Sequence, residues 1–461
     1  MDARVIFPWV FLVCLSIAPF IANANSNAVE KGGATAFSMS IPSGTLTLLA
    51  AQQKALNNSP TISQTLSRIQ AAQAVVDQTR STWRPMLSMN AGYRLQQSSV
   101  QPDWLPEQRV QDSFSHWSAG VQANWVIFDG FRRKAMILAA QYKVEHSQHL
   151  SDEARRLLAE AVASAYYRTQ LAQEKMSIAQ QNQIFNRSLE REAAIRWQAG
   201  SIAKADKLNF SVRALQAESD FLIAEQQFKI AITVLAELMA LPATQWPHNL
   251  IPTRNTQQIL AEPVPRYQEE STYALQHHPS LQALNSSLAE LEQRKLEQKG
   301  QYWPKAEINS GINYHLFNDM GTIDQEEHDR YAGINLTWEL YAGGERAASI
   351  RETGSLIRAT YHQQQQQVLA IQSAIQQAID NSTARYAVYQ RQQAALDLTA
   401  RIREHIKKSY RAGHTSITRL NEAQTDLVRA AGAEATSRIN YQFTLQQLQA
   451  ASGRILTKEG L

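Results

Sequence analysis

The sequence predicts a mixed, mainly α-helical fold in which long antiparallel coiled-coil helices accompany four transmembrane β-strands per chain. Three observations predict it. No glycine or proline interrupts residues 131–199. Four stretches alternate apolar and polar residues with a period of two. Short motifs also recur at a constant spacing, as a duplicated structural unit would produce.

The first 24 residues read as a signal peptide. Arg4 supplies the positive end, residues 5–21 the apolar run, and Ala22-Asn23-Ala24 the small residues before a cleavage site. Cys14, the single cysteine, leaves with that peptide, and no small residue precedes it as a lipid-anchor signal requires.

The first structural repeat is expected over residues 25–241. Its opening strand, at 85–97, alternates Leu87, Met89, Ala91, Tyr93 and Leu95 with Ser88, Asn90, Gly92, Arg94 and Gln96. The next, at 115–128, alternates Trp117, Ala119, Val121, Ala123, Trp125 and Ile127 with Ser118, Gly120, Gln122 and Asn124. Their polar faces carry Gly, Ser, Asn and Gln rather than charge, and Trp and Tyr crowd their ends, as in strands that line water on one side and touch lipid on the other. A helical hairpin is expected at 131–241. Leu158, Val162, Ala165, Thr169, Ala172, Met176 and Ala179 follow steps of four and three, and Ala214, Ala217, Phe221, Ala224, Phe228, Ala231, Leu235 and Leu238 answer them.

A proline-rich connector, residues 242–267, separates this half from a second repeat at 268–455 and a tail at 456–461. The second half has strands at 305–317 and 330–340 and a hairpin at 343–455, with seams at Ile371, Ile375, Ala378 and Ser382 and at Leu420, Ala423, Leu427 and Ala430. Gly130 and Gly343 are separated by the same number of residues as Gly200 and Gly413. Beyond the signal segment no apolar run reaches the ~18 residues of a membrane helix, so contact with a bilayer falls to the strands. Four strands cannot close a barrel, and an open edge does not survive in lipid. Two copies would give a barrel that side chains fill, and three give twelve strands and a water-filled bore. The strands run into helices about 100 Å long, so a trimeric 12-stranded β-barrel continuous with an α-helical barrel is expected.

Composition excludes several functions. The net charge of +4 is dispersed, so no nucleic-acid partner is expected. No Walker loop, nucleophile elbow, HExxH or zinc-cysteine spacing occurs; no catalytic residue, cofactor or metal site is expected. Asp319, Asp324, Glu326, Glu327, His328 and Asp329 read as a solvated acidic loop between the last two strands, and His277-His278 before Pro279 reads as a helix start.

The chain resembles the TolC-type outer-membrane efflux family over essentially its whole mature length. The resemblance rests on Leu46-Thr47-Leu48, the run from Ala55 to Pro60, Phe128-Asp129-Gly130, Leu340-Tyr341-Ala342-Gly343-Gly344, Ala199-Gly200, Ala412-Gly413 and Leu420-Asn421-Glu422-Ala423-Gln424. It implies a homotrimer in outer-membrane lipid with a long periplasmic portion. It also implies an entrance closed at the helical tips, a periplasmic adaptor (membrane fusion) protein, and an inner-membrane pump of the ABC or RND type. The function it implies is that of an exit duct for tripartite efflux or type I secretion. The alternative is a trimeric coiled-coil adhesin or envelope-spanning structural protein. Carried over position by position, Gly200, Ser201, Gly413 and His414 fall at adaptor-contacting tips, and Asp206, Tyr410, Arg419 and Glu422 at the entrance gate. Arg419 stands where the family pattern has an acid, and Thr415 where one member has a gate arginine. Arg419 is therefore expected to pair with Asp206 or Glu422.

Overall fold

The computed structural model describes residues 45–100, 110–242, 251–252, 266–319 and 325–457. The signal segment, most of the proline-rich connector, residues 320–324 of the acidic stretch and the end of the tail lie outside the described residues.

The described chain is mainly helical, with one four-stranded antiparallel sheet. In chain order the elements are β1 (Thr45–Leu46), α1 (Leu48–Asn58), α2 (Pro60–Ser81), β2 (Met86–Val100), β3 (Val110–Phe128), α3 (Arg132–Gln198) and α4 (Lys204–Leu238). Then follow β4 (Ile251–Pro252), α5 (Tyr267–His277), α6 (Pro279–Gly300), β5 (Lys305–Asp319), β6 (Gln325–Thr337), α7 (Glu345–Arg411), α8 (Ile417–Ser452) and a 3-10 turn at Arg454–Leu456. Pro60 and Pro279 occupy the first helical position of α2 and α6, where a missing N–H costs nothing and the fixed φ favours entry.

The sheet order is β2-β3-β5-β6. In-register pairs such as Tyr93 with Trp117, Trp117 with Leu316, and Ile308 with Ile334 put the apolar residues of all four strands on one face. Leu87, Met89, Leu95, Ile312 and Ile334 on that face are exposed, so no described residue covers it. Lys305 and Thr337 form the pair nearest the helices. Pro304 stands just before Lys305 and has no N–H to extend the ladder. β6 therefore ends at Thr337 where alternation alone suggested residue 340. At its other end β6 reaches back to Gln325, because Glu326, Glu327, His328 and Asp329 each pair with β5. The acidic stretch is thus strand, not loop, over 325–329, and Asp319 ends β5. A continuous ladder outweighs the local preference of charged residues for loops.

Each strand pair is fastened to its helices by a tryptophan. The Trp125 indole donates to the Trp83 carbonyl at 2.9 Å and the Trp338 indole to the Tyr302 carbonyl at 3.1 Å. Arg133, almost wholly buried, sits over the Trp83 ring, pairs with Asp129, and donates to the carbonyls of Thr82 and Val126. Arg346 holds the corresponding joint through Glu339 and the Tyr302 ring. Gly130, between β3 and α3, has φ +66°, and a Cβ there would strike the Gly300 carbonyl and Trp303. Only glycine permits that approach.

The long helices lie in the order α4-α3-α8-α7: α4 packs on α3, α3 also on α8, and α8 on α7. Alanines and β-branched residues make the seams. Val162, Ala165 and Thr169 are buried in α3, Ala214, Ala217 and Ala224 in α4, and Ile371, Ile375 and Ala378 in α7. The Thr169 hydroxyl also donates to the Ala231 carbonyl at 3.1 Å. Around the middle of α3, the short helices form a collar against the C-terminal end of α8. Arg156 pairs with Glu153 at 2.7 Å and donates to the Ala450 carbonyl at 3.0 Å; Gln52 reaches the Ala159 carbonyl, and Arg454 pairs with Glu270. His278 is buried in the collar and caps α6.

Candidate functional site at the hairpin turns

The α3–α4 turn is closed by backbone bonds. Gly200, at φ +71°, donates to the Trp197 carbonyl and Ser201 to that of Arg196. The α7–α8 turn repeats this, with Gly413 at φ +77° donating to Tyr410 and His414 to Ser409. These bonds satisfy the last carbonyls of each helix. A Cβ at Gly200 or Gly413 would meet nothing within 4 Å, so the positive φ, not space, demands glycine. Ser201 and His414 are exposed.

The two turns are held side by side by a small apolar core of Leu189 and Ala193 from α3, Phe210 from α4 and Leu420 from α8, with Ile406 and Tyr410 of α7 packed against it. Above it lies a polar cluster. The Arg196 guanidinium lies over the Tyr410 ring, 5.4 Å from its centroid, and pairs with Glu192 at 2.6 Å. Lys207 lies 4.5 Å from the Trp197 ring centroid. Burial pushes the Tyr410 phenol above its ordinary range; the nearby Arg196 opposes this, while the Glu192 and Asp206 carboxylates add to it. Tyr410 is therefore a neutral donor at physiological pH.

Asp206 and Tyr410, two of the gate residues expected from sequence, thus share one electrostatic neighbourhood. Arg419 and Glu422 do not join it. Both are exposed, and among the described residues neither forms an ion pair with the other or with Asp206. Leu420, Asn421, Ala423 and Gln424 take the buried face of α8, which turns Arg419 and Glu422 away. The expected pairing of Arg419 is therefore absent within one chain. Sequence reading missed Arg196 and Glu192, although their i, i+4 spacing on a helix was available. It also missed the joint arginines Arg133 and Arg346.

Asp206 and Arg419 occupy the same place, the third residue of α4 and of α8. An acid there suits the positive helix terminus and a cation opposes it. The Ser416 hydroxyl, which accepts from the Arg419 N–H at 3.4 Å, caps α8, whereas Ala203 gives α4 no side-chain cap. Among the described residues no group of three or more His, Cys, Asp or Glu is placed to hold a metal ion.

Comparison with known proteins gives a consistent picture. Residues 51–241 match the family model described as outer membrane efflux protein. Protein CyaE of Bordetella pertussis is 25% identical over 390 residues, covering 84% of this chain and 79% of that protein. Among solved structures, a membrane protein from Pseudomonas aeruginosa aligns with a TM-score of 0.74 at 18% identity, over 88% of this chain and 93% of its own. The CmeC outer membrane channel of Campylobacter jejuni aligns at 0.73 and 13%, over 88% and 85%. The open-state MtrE outer membrane channel of Neisseria gonorrhoeae aligns at 0.71 and 16%, over 88% of both chains. With the uncovered apolar sheet face and the paired hairpins, the chain is similar in fold to these outer membrane channels, and residues 51–241 match the outer membrane efflux protein family.

Proposed function

We propose that three copies of this chain, an outer-membrane exit duct of the tripartite efflux or type I secretion class, close edge to edge into a 12-stranded barrel continued by a twelve-helix tube. One observation carries the proposal: sheet and helix layer both end in unpartnered edges. The sheet stops at β2 and β6, whose exposed N–H and C=O groups cannot be left in hydrocarbon. β6 runs antiparallel to a neighbour's β2 if the alternation of the sheet continues. The helix layer stops at α4 and α7, and α4 exposes a row of Leu208, Val212, Leu215 and Leu222 at the spacing of a coiled-coil seam. α7 of a neighbour is the surface that would cover it.

The halves are read as duplicates. α3 and α7 both have 67 residues, and α4 and α8 have 35 and 36, which supports two repeats at 25–241 and 268–455 joined by the connector. Gly200, Ser201, Gly413 and His414 then form the tips that meet a periplasmic adaptor, which links the duct to an inner-membrane pump. Asp206, Tyr410, Arg419 and Glu422 form the gate. Because Arg419 and Glu422 form no ion pair among the described residues, their partners are assigned to the neighbouring hairpin, and opening breaks those links. An adaptor that binds the open tips better shifts the equilibrium towards them.

Detergent-extracted protein should sediment as a trimer, and the purified trimer should conduct ions across planar bilayers. A stable, folded monomer in the outer membrane would sink the assembly.

A further inference from the structure

We propose that Arg330 and His328, on the outward face of β6, form a binding site for the phosphate of an outer-leaflet glycolipid. Over four residues of β6, alternation separates acids from bases. In the run Glu327-His328-Asp329-Arg330, alternation sends the two acids to the polar face with Asn313 and His315 and the two bases to the apolar face. There Arg330 pairs with Ile312 and His328 with Tyr314, whose ring lies 5.0 Å from the imidazole.

A guanidinium on a lipid-facing surface is costly unless something anionic meets it. Among the described side chains none meets it. Arg330 is exposed and has no ion pair among the described residues. The outward residues of β2, the edge a neighbouring copy would present, are Leu87, Met89, Ala91, Tyr93 and Leu95, none of them acidic. Those of β3 and β5 include no acid either. Glu326 holds the register position opposite Leu316, four residues from Arg330 in an extended strand, or about 13 Å, with His328 between them.

Depth supplies the partner. Trp338 and Trp125, bonded to the joint carbonyls, mark the helix-side boundary of the apolar face, and Tyr93, Trp117 and Tyr314 mark the far side. Arg330 lies eight residues from Trp338, a rise of about 20 Å once a tilt of about 40° is allowed for, within an apolar band about 25 Å tall. Its side chain can snorkel to the outer headgroups, and His328 stands one pleat nearer the surface. Guanidinium binds phosphate through two parallel N–H donors, and the imidazole adds a third. Tyr93 and Trp117, with ring centroids 4.7 Å apart, lie in register with Leu316 and Glu326, two residues beyond His328. The helices extend into the periplasm, so this end of the sheet meets the outer leaflet, and the proposal rests on that reading.

The test uses the full mature trimer in detergent, with bisphosphorylated lipid A as probe and native mass spectrometry as readout. Wild type should retain it at least tenfold more tightly than the dephosphorylated lipid, a contrast that needs no variant. R330Q and R330Q/H328Q should abolish the preference, and R330K should keep part of it. Equal retention of the two lipids by wild type, or an undiminished preference in a correctly assembled R330Q trimer, overturns the site. Displacement of the lipid by millimolar inorganic phosphate alone would also overturn it, as the signature of a free-anion site. Binding in micelles does not depend on conduction, so a trimer that binds lipid but fails to conduct separates this site from the duct reading.

Discussion

The collar and the hairpin turns lie on the same helices, yet they treat charge in opposite ways. In the collar, Arg156 is nearly buried, meets Glu153 and Glu160, and reaches across to the Ala450 carbonyl. Such a group cannot leave its partners without stranding a charge away from water. At the turns, Arg196, Glu192 and Asp206 are only partly covered, Arg419 and Glu422 are exposed, and the apolar core beneath them contains four buried side chains. Exposed pairs are worth little and exchange readily for water. The molecule therefore fixes its helices at mid-length and leaves their ends free to separate. A gate placed at the collar would have to break buried pairs at every opening.

The largest effect is expected from Arg156→Ala. It leaves Glu153 without its partner and cuts the link from α3 to α8, and should cost about 3–5 kcal/mol, seen as a lower thermal midpoint of the purified protein. A loss under 1 kcal/mol would mean that the collar is no firmer than the turns.

Acid should weaken the same region. Burial, the leading cause, and the nearby Arg156 hold His278 down to about 4, with Glu153 pulling the other way. The unfolded chain therefore binds this proton below about pH 6.5, while the folded chain stays neutral until about pH 4. Stability is full above pH 6.5 and falls through that window, by roughly 3 kcal/mol per chain at its end. His278→Asn, which can keep the cap at α6 but cannot titrate, should melt at a midpoint less dependent on pH between 6.5 and 4.5. An unchanged pH slope would remove His278 from the account.

Smaller and local effects are expected at the turns. Gly413→Ala forces a Cβ into left-handed backbone at a cost of about 1–2 kcal/mol, and Gly200→Ala should match it. Hydrogen exchange should quicken at residues 409–420 while the collar stays protected. Faster exchange at the collar as well would show that the two regions are coupled after all.

The smallest change in stability should accompany the clearest change in function. Arg419→Glu replaces a cation at a helix start by an acid, which favours α8 by about 0.3–1 kcal/mol. In the proposed gate it also sets an acid beside Glu422 and against the Asp206 of a neighbouring hairpin. We expect an unaltered or slightly higher melting point together with greater single-channel conductance. Unchanged conductance in a correctly assembled trimer would make Arg419 a solvated surface group.

Much of the fold was legible because its signals are local. Alternation marked the sheet strands, and uninterrupted four-and-three spacing marked the long helices. What escaped depends on residues far apart in sequence. Arg156 reads as one more helix-face charge until Ala450 is brought against it, and Arg133 looks like half of a basic pair until Trp83 lies beneath it. The stretch 325–329 read as loop because its composition is polar, and only pairing with β5 reveals strand. At the turns, glycine advertised the reversal of direction. Which side of α8 faces inward was set by Leu420 and Ala423, and that left Arg419 outside the protomer's own cluster.

α3 and α7 have the same number of residues and start from joints built alike. Each residue of an α-helix adds about 1.5 Å and turns the chain by about 100°. A single deletion in α7 alone would draw one turn back from its neighbour and rotate every side chain beyond it out of the seam. Two deletions of seven in one helix and its returning partner would nearly restore the facing, but the tip would still sit about 10 Å short. The reach of the duct is therefore not a property of any one helix. It can lengthen or shorten only when all four long helices change together, by whole numbers of turns, and lineages of such proteins should differ in matched steps rather than residue by residue.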